Sequence, residues 1–192
     1  MTATHDARTA RGSLLRRWPT LAGTALAAGL AVAIVSGFAD ARDVVQVLTA
    51  AGLVYLGAAA LRRPGAAWPL FALTVVLISI GFLLPRTNPT WWMLGVALLL
   101  LVVGLVLGAT RPAWNMPLQA AAMVVIIATA LIVAYVRQPW AGLLAGAGLL
   151  AHAAWDIHHH RARRVVLRSM AEFCAVLDTL LGATIITAAL LS

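Results

Sequence analysis

The sequence predicts an all-α integral membrane protein, a single bundle of seven transmembrane helices. Of its 192 residues, 62% are hydrophobic and only 10% are charged, against about 25% charged residues in soluble domains. A water-soluble fold of this length could not bury so much apolar surface. The apolar residues also fall into seven continuous runs separated by short polar joints. Lipid is therefore the expected surroundings of most side chains.

Each run is close to the roughly 20 apolar residues that cross a bilayer, and the last is long enough to tilt. In chain order the predicted spans are Pro19–Phe38, Val44–Leu61, Trp68–Leu84, Trp91–Ala109, Pro117–Val136, Trp140–Ile157 and Val165–Leu191.

Proline and tryptophan mark the ends of these spans. All eight prolines lie at span ends, where a first helical turn or a loop tolerates them, at Pro19, Pro64, Pro69, Pro85, Pro89, Pro112, Pro117 and Pro139. The seven tryptophans also lie near span ends, which is the pattern of an aromatic belt at the headgroup level. The seventh span has no proline at its start and follows a cluster of arginines instead.

The distribution of arginine predicts the orientation. Eleven of the fourteen arginines lie on one side of the predicted spans, and only Arg42, Arg86 and Arg137 lie on the other. The positive-inside rule then places the N-terminus in the cytoplasm and the C-terminus outside. Residues 1–17 form a basic cytoplasmic tail, and residues 18–192 form the transmembrane domain. The expected location is the cytoplasmic (inner) membrane of a bacterium.

An alternative concerns the first span. Residues 1–41 have a basic start, an apolar run and an A-x-A-like pattern at Ala39–Ala41, as in a cleaved signal peptide. The apolar run exceeds the about 7–15 residues of a typical signal peptide. We therefore favour a retained first helix; cleavage would leave six spans.

Charge and composition exclude several classes of function. The net charge is +8, but the arginines lie at span ends, which indicates membrane topology and not nucleic-acid binding. The chain contains no lysine, so it cannot form the Schiff base of a retinal protein. The predicted partners are membrane lipids, with a second copy of the chain or another membrane protein as further candidates.

The stretch AHAAWDIHHHRARR, residues 151–164, carries the strongest candidate chemistry. On a helix, His152, Asp156 and His159 share one face, and we predict them as ligands of a divalent metal. Two acids in the last span, Glu172 and Asp178, lie in the same cytoplasmic half. With Asp156, these acids are the candidate catalytic groups, acting in acid/base chemistry or as further ligands.

Simpler interpretations remain open for each group. The histidines at 158–160 are also explained as a solvated positive flank, and Glu172 as the partner of Arg168 one turn away. Asp178 is harder to explain, because a charged Asp at mid-bilayer costs about 2.5–3.5 kcal/mol. A neutral acid or an interhelical hydrogen bond would account for it without any chemistry.

The run HAAWDIHHHRARRVVLRSMAEFCAVLDTLLG, residues 152–182, resembles a pattern found in uncharacterised bacterial multi-pass membrane proteins. The resemblance implies one motif without implying an activity. The layout of seven spans also resembles the hydrolases that include alkaline ceramidases and progestin/adipoQ-type receptors, which hold zinc inside the bundle. Here the first five spans supply no histidine and no H-x-x-x-H pair occurs, so this second resemblance is architectural.

Three functions remain in order of preference. The first is a lipid- or isoprenoid-modifying enzyme with an acid/base or metal site in the last two helices. The second is a small proton-coupled transporter or channel in which the same acids titrate. The third is a structural or accessory subunit whose charges only fix helix packing.

Overall fold

The computed structural model describes residues 17–84 and 87–191, and this part of the chain contains seven α-helices. We number them α1 (Trp18–Val35), α2 (Ala41–Ala60), α3 (Ala67–Leu83), α4 (Pro89–Val106), α5 (Met116–Tyr135), α6 (Trp140–Ala162) and α7 (Arg168–Leu191). Each predicted span corresponds to one helix, with ends shifted by a few residues. The predicted basic tail, apart from Arg17, and Arg86 lie outside the described residues.

Six of the seven helices are long and apolar enough to cross a membrane. The exception is α6, whose C-terminal half carries His152, Asp156 and the three histidines at 158–160. The prediction of an all-α fold is thus confirmed, and the six candidate spans support a multi-pass membrane protein. The crossing of α6 and the orientation of the termini stay predictions.

Helix α2 forms the centre of the bundle. It packs against α3, α4, α5, α6 and α7, and 83% of its apolar window is buried, against 17–39% for the other candidate spans. Its alanine- and valine-rich sequence suits this position, because small side chains let several helices approach at once. A capping box between Asp40 and Asp43 fixes its first turn. The other helices expose much of their apolar surface, as a lipid-facing ring requires.

Small residues bring α6 and α7 into close contact. A Cβ atom added to Gly146 would lie 2.9 Å from the backbone oxygen of Gly182, and one added to Gly182 would lie 3.0 Å from the oxygen of Gly146. The two backbones therefore touch without intervening side chains, as small residues at a helix interface allow. This contact sets the register of the hairpin that carries the candidate site.

Helix α1 packs along α7 on the opposite side from α6. The contact is again close at a glycine, since a Cβ atom on Gly23 would lie 2.6 Å from the backbone oxygen of Phe173. Helix α7 is therefore held between α1 and α6, and its Asp178 is enclosed by helices instead of lipid.

Candidate functional site

A buried cluster of one imidazole and two carboxylates lies between α6 and α7. His152 Nδ1 lies 2.9 Å from Asp178 Oδ2 and 3.2 Å from Asp156 Oδ2. One donor atom from each of the three residues can be chosen so that all lie within 4.8 Å of one another. None of the three is more than 7% exposed. We refer to His152, Asp156 and Asp178 as the central cluster.

The hairpin geometry explains how residues from two helices meet. His152 lies ten residues before the end of α6 at Ala162, and Asp178 lies ten residues after the start of α7 at Arg168. At 1.5 Å per residue, both are about 15 Å from the connecting loop. Asp156 is one helical turn from His152, so it joins the cluster from the same helix.

Tyr55 of α2 completes the cluster from the centre of the bundle. Its hydroxyl donates a 2.6 Å hydrogen bond to Asp156 Oδ1, and its ring packs edge-on against the His152 ring at 5.3 Å. Tyr55 is not singled out in the sequence analysis, so this contact is missed there. The available indication is its position in a helix otherwise rich in alanine, valine and leucine, because a buried tyrosine hydroxyl needs a partner.

Two carboxylate oxygens of the central cluster have no hydrogen-bond partner among the described residues. They are Asp156 Oδ2 and Asp178 Oδ1. His152 is also the only cationic group within ion-pair distance of either acid in residues 17–84 and 87–191. Buried polar groups without partners are rare and costly. The cluster therefore holds more acceptor atoms than its partners among the described residues satisfy, and more negative charge if both acids are ionised.

His159 lies next to the central cluster and makes different contacts. Its Nδ1–H donates to the backbone oxygen of Trp155 at 2.9 Å, and its Nε2 lies 3.4 Å from Gln119 Nε2. Gln119 in turn accepts a 3.2 Å hydrogen bond from the Trp155 indole. Both ring nitrogens of His159 are thus engaged, and this predicted ligand is not among the grouped donor atoms.

Glu172 also lies apart from the central cluster. It accepts a hydrogen bond from the Thr20 hydroxyl of α1, so it joins α1 to α7, and it is not among the grouped donor atoms. One turn before it, Ser169 accepts a 3.2 Å hydrogen bond from the Trp68 indole of α3. Of the five predicted site residues, the structure brings together His152, Asp156 and Asp178.

His158, in the last turns of α6, contacts the loop that follows this helix. His158 Nε2 accepts a 3.0 Å hydrogen bond from Arg164, whose guanidinium also stacks over the Trp114 ring at 4.7 Å. This arrangement matches the predicted solvated flank better than a ligand site.

Two pockets include residues of the central cluster in their walls. The larger, about 470 Å³, lies between α1 and α3 against α2 and α7 and includes Asp178 and Cys174 in its wall. Its remaining lining is almost wholly apolar. On α3 the lining runs from Phe71 to Leu83, roughly 18 Å of helix. The pocket is therefore a groove parallel to the helices.

The second pocket, about 270 Å³, lies between α5 and α6 against α2. One end is polar and is formed by His152, Tyr55, Gln119 and Trp155; the other end is mostly apolar. All of its lining residues belong to these three helices and none to a loop. Val125, in its wall, is 65% exposed on the outer surface of the bundle. This pocket thus connects the lipid-facing surface of the bundle with His152.

Comparison with known proteins found no match: no family model fits the chain, and no curated protein or solved structure is significantly similar. The resemblances drawn from the sequence motif and from the helix layout are neither supported nor opposed by these comparisons.

Proposed function

We propose that this protein is a membrane-embedded enzyme that modifies a lipid or isoprenoid, with the central cluster as its reacting centre. One observation carries the proposal: the His152 side chain contacts both carboxylates through Nδ1 and also lines the pocket between α5 and α6. A histidine that contacts two carboxylates and also lines a pocket can serve a substrate in that pocket in acid/base chemistry or as the ligand of a metal.

The lining of this pocket suits an amphipathic substrate. Tyr55, Gln119 and Trp155 offer hydrogen-bonding groups near His152, while Leu48 and Ile126 offer an apolar wall. A lipid entering sideways from the bilayer would place its polar part beside the imidazole and its chain along the wall. Ligand sites of this kind combine a mainly apolar lining with a few polar groups that fix orientation.

The transporter alternative receives less support. Transport of an ion requires access to the cluster from both membrane faces, whereas the pocket that includes His152 is lined by residues of α2, α5 and α6 and by no loop residue. Sideways access favours a substrate that is already dissolved in the membrane.

The experiment uses the full-length protein in vesicles made from total lipids of its host membrane, with lipids followed by mass spectrometry over time. We expect the wild type to deplete one lipid species and produce another. His152→Ala should abolish that change, whereas His160→Ala, a histidine outside the pocket, should retain it.

A second pair of variants tests the pocket itself. Ala122 lines the pocket, and the neighbouring Ala121 is exposed on the outer surface. Ala122→Phe should block conversion, and Ala121→Phe should leave it intact. Equal activity in this pair, or no lipid change with folded wild-type protein, would contradict the proposal. Proton uptake by the vesicles without lipid change would favour the transporter.

A further inference from the structure

We infer that the central cluster binds one divalent transition-metal ion, with His152 Nδ1 and one oxygen each of Asp156 and Asp178 as ligands. The role of such an ion in lipid chemistry rests on the proposed function, whereas its binding does not. The inferred set keeps two of the ligands predicted from sequence and takes Asp178 in place of His159.

The spacing of the donor atoms suits a single ion. The nitrogen of His152 lies 2.9 and 3.2 Å from the nearest oxygens of the two acids, and all three donors lie within 4.8 Å of one another. Ligand bonds of about 2.0–2.2 Å to zinc place neighbouring donors roughly 3–4 Å apart. Only small side-chain rotations are therefore needed to surround an ion.

Charge balance supports a cation of charge two. Two ionised carboxylates and a neutral imidazole carry a charge of −2, which a divalent ion cancels. Protonated His152 would cancel only half of it, and no arginine lies within ion-pair distance of either acid in the described residues. Buried charges without compensation are strongly unfavourable. Asp156 Oδ2 and Asp178 Oδ1 have no hydrogen bond among the described residues, so they supply acceptors that such an ion needs; Asp156 Oδ2 also lies 3.2 Å from His152 Nδ1.

Tyr55 acts as an outer partner of this site. By donating to Asp156 Oδ1, it fixes the carboxylate so that Oδ2 faces His152. Hydrogen bonds to ligating carboxylates commonly orient metal ligands in this way, and their loss lowers metal affinity about 10–100-fold. Tyr55 is thus a positioning residue and not a ligand.

The donor set also limits the choice of metal. Imidazole nitrogen favours zinc, iron, nickel and copper, whereas carboxylate oxygen alone favours magnesium, calcium and manganese. One nitrogen with two oxygens therefore fits Zn²⁺, Fe²⁺ or Mn²⁺. Three protein ligands leave a further coordination position open, which is the pattern of catalytic zinc sites.

The test measures metal content and affinity without reference to activity. Full-length protein lacking a polyhistidine tag is stripped with a chelator in detergent and titrated with Zn²⁺, Mn²⁺ and Mg²⁺, and bound metal is measured by elemental analysis. We expect one Zn²⁺ or Mn²⁺ per chain and much weaker Mg²⁺ binding. Asp178→Asn and His152→Ala should each lower the affinity at least tenfold, by analogy with the loss of outer partners.

Matched variants exclude binding elsewhere. Glu172→Gln makes the same acid-to-amide change on the same helix, and His160→Ala removes a histidine from the loop end; both should bind metal as the wild type does. If either ligand variant fails to fold, Tyr55→Phe provides the second measurement, with the expected affinity loss of about 10–100-fold.

The inference is overturned if the folded wild type takes up no Zn²⁺ or Mn²⁺, or if binding is lost in His160→Ala and kept in His152→Ala. Lipid conversion by a metal-free protein would overturn the metal site and leave the proposed enzyme standing. Stoichiometric metal binding without any lipid conversion would support the metal site and contradict the proposed enzyme.

Discussion

His152 Nδ1 and Asp178 Oδ2 lie 2.9 Å apart although the two residues are 26 positions apart in sequence and belong to different helices. The contact depends on the glycine-lined approach of α6 to α7, because a wider separation would carry Asp178 out of hydrogen-bonding reach. A packing feature of the membrane bundle therefore creates the chemical feature of the site. Removing either partner should affect stability as well as any activity.

His152→Leu should destabilise the fold strongly. The change leaves Asp156 and Asp178 buried together without their imidazole partner, and removing one member of a buried pair typically costs about 3–5 kcal/mol. Chemical unfolding in detergent micelles, followed by circular dichroism, measures the loss. His160→Leu, at the loop end, should change the free energy of unfolding much less.

The double variant His152→Leu/Asp178→Leu sharpens this prediction. The double variant removes the Asp178 charge that His152→Leu alone leaves without a partner. Its loss in free energy of unfolding should therefore be smaller than the sum of the losses in the two single variants. Simple additivity would show that the two side chains do not interact in the folded protein.

Tyr55→Phe should cost about 1–3 kcal/mol, because it removes the hydroxyl and leaves a further buried oxygen of Asp156 unsatisfied. Tyr135→Phe is the matched control, since Tyr135 is 87% exposed and loses no hydrogen bond identified among the described residues. The two variants are compared by thermal or chemical unfolding in the same detergent. Equal stabilities would argue against the Tyr55–Asp156 contact.

These residues also show how far the sequence alone leads. The helices follow from apolar runs and from proline at their ends, because lipid requires every backbone group to be satisfied within its own helix. His152 and Asp156 were predictable as a pair since they are one turn apart. The approach of Asp178 was predictable in outline. Because a short loop joins α6 to α7, residues equally far from the loop on the two helices lie at the same height, and His152 and Asp178 are such a pair.

The remaining parts of the site depend on three-dimensional packing. Tyr55 comes from α2, about a hundred residues away, and helical periodicity does not indicate which distant helix faces α6. Glu172 and His159 lie in the same half of the α6–α7 hairpin as the cluster, but the rotation of each helix directs them to Thr20 and to Gln119. Helix rotation is decided by the packing of every neighbour, which a single sequence does not specify.

Gly146→Ala should destabilise the protein despite the better helix propensity of alanine. The added Cβ would lie 2.5 Å from Ile186 Cγ1 and 2.9 Å from the backbone oxygen of Gly182, so the helices must separate. Such overpacking typically costs about 1–3 kcal/mol.

Gly95→Ala provides the control, because nothing lies within 4 Å of its added Cβ. That change should be neutral or stabilise the helix by up to about 1 kcal/mol. A similar gain for Gly146→Ala, measured by the same unfolding experiment, would disprove the close α6–α7 contact.

The crossing of the membrane by α6 is testable through its two ends. Arg137 precedes α6 and Arg161 lies in its last turn, and both are exposed. In a Cys174→Ala background, Arg137→Cys and Arg161→Cys each introduce the only thiol and remove one arginine, so they are matched in charge. If α6 spans the bilayer in the predicted orientation, a membrane-impermeant thiol reagent added to intact cells should label position 137 and leave position 161 unlabelled. Permeabilised cells should show labelling at both positions.

Labelling of both thiols in intact cells would mean that α6 does not separate the two sides of the membrane. The central cluster would then lie in a re-entrant segment. The polar residues of α6, which lower the apolar character of this helix, would be in keeping with that arrangement.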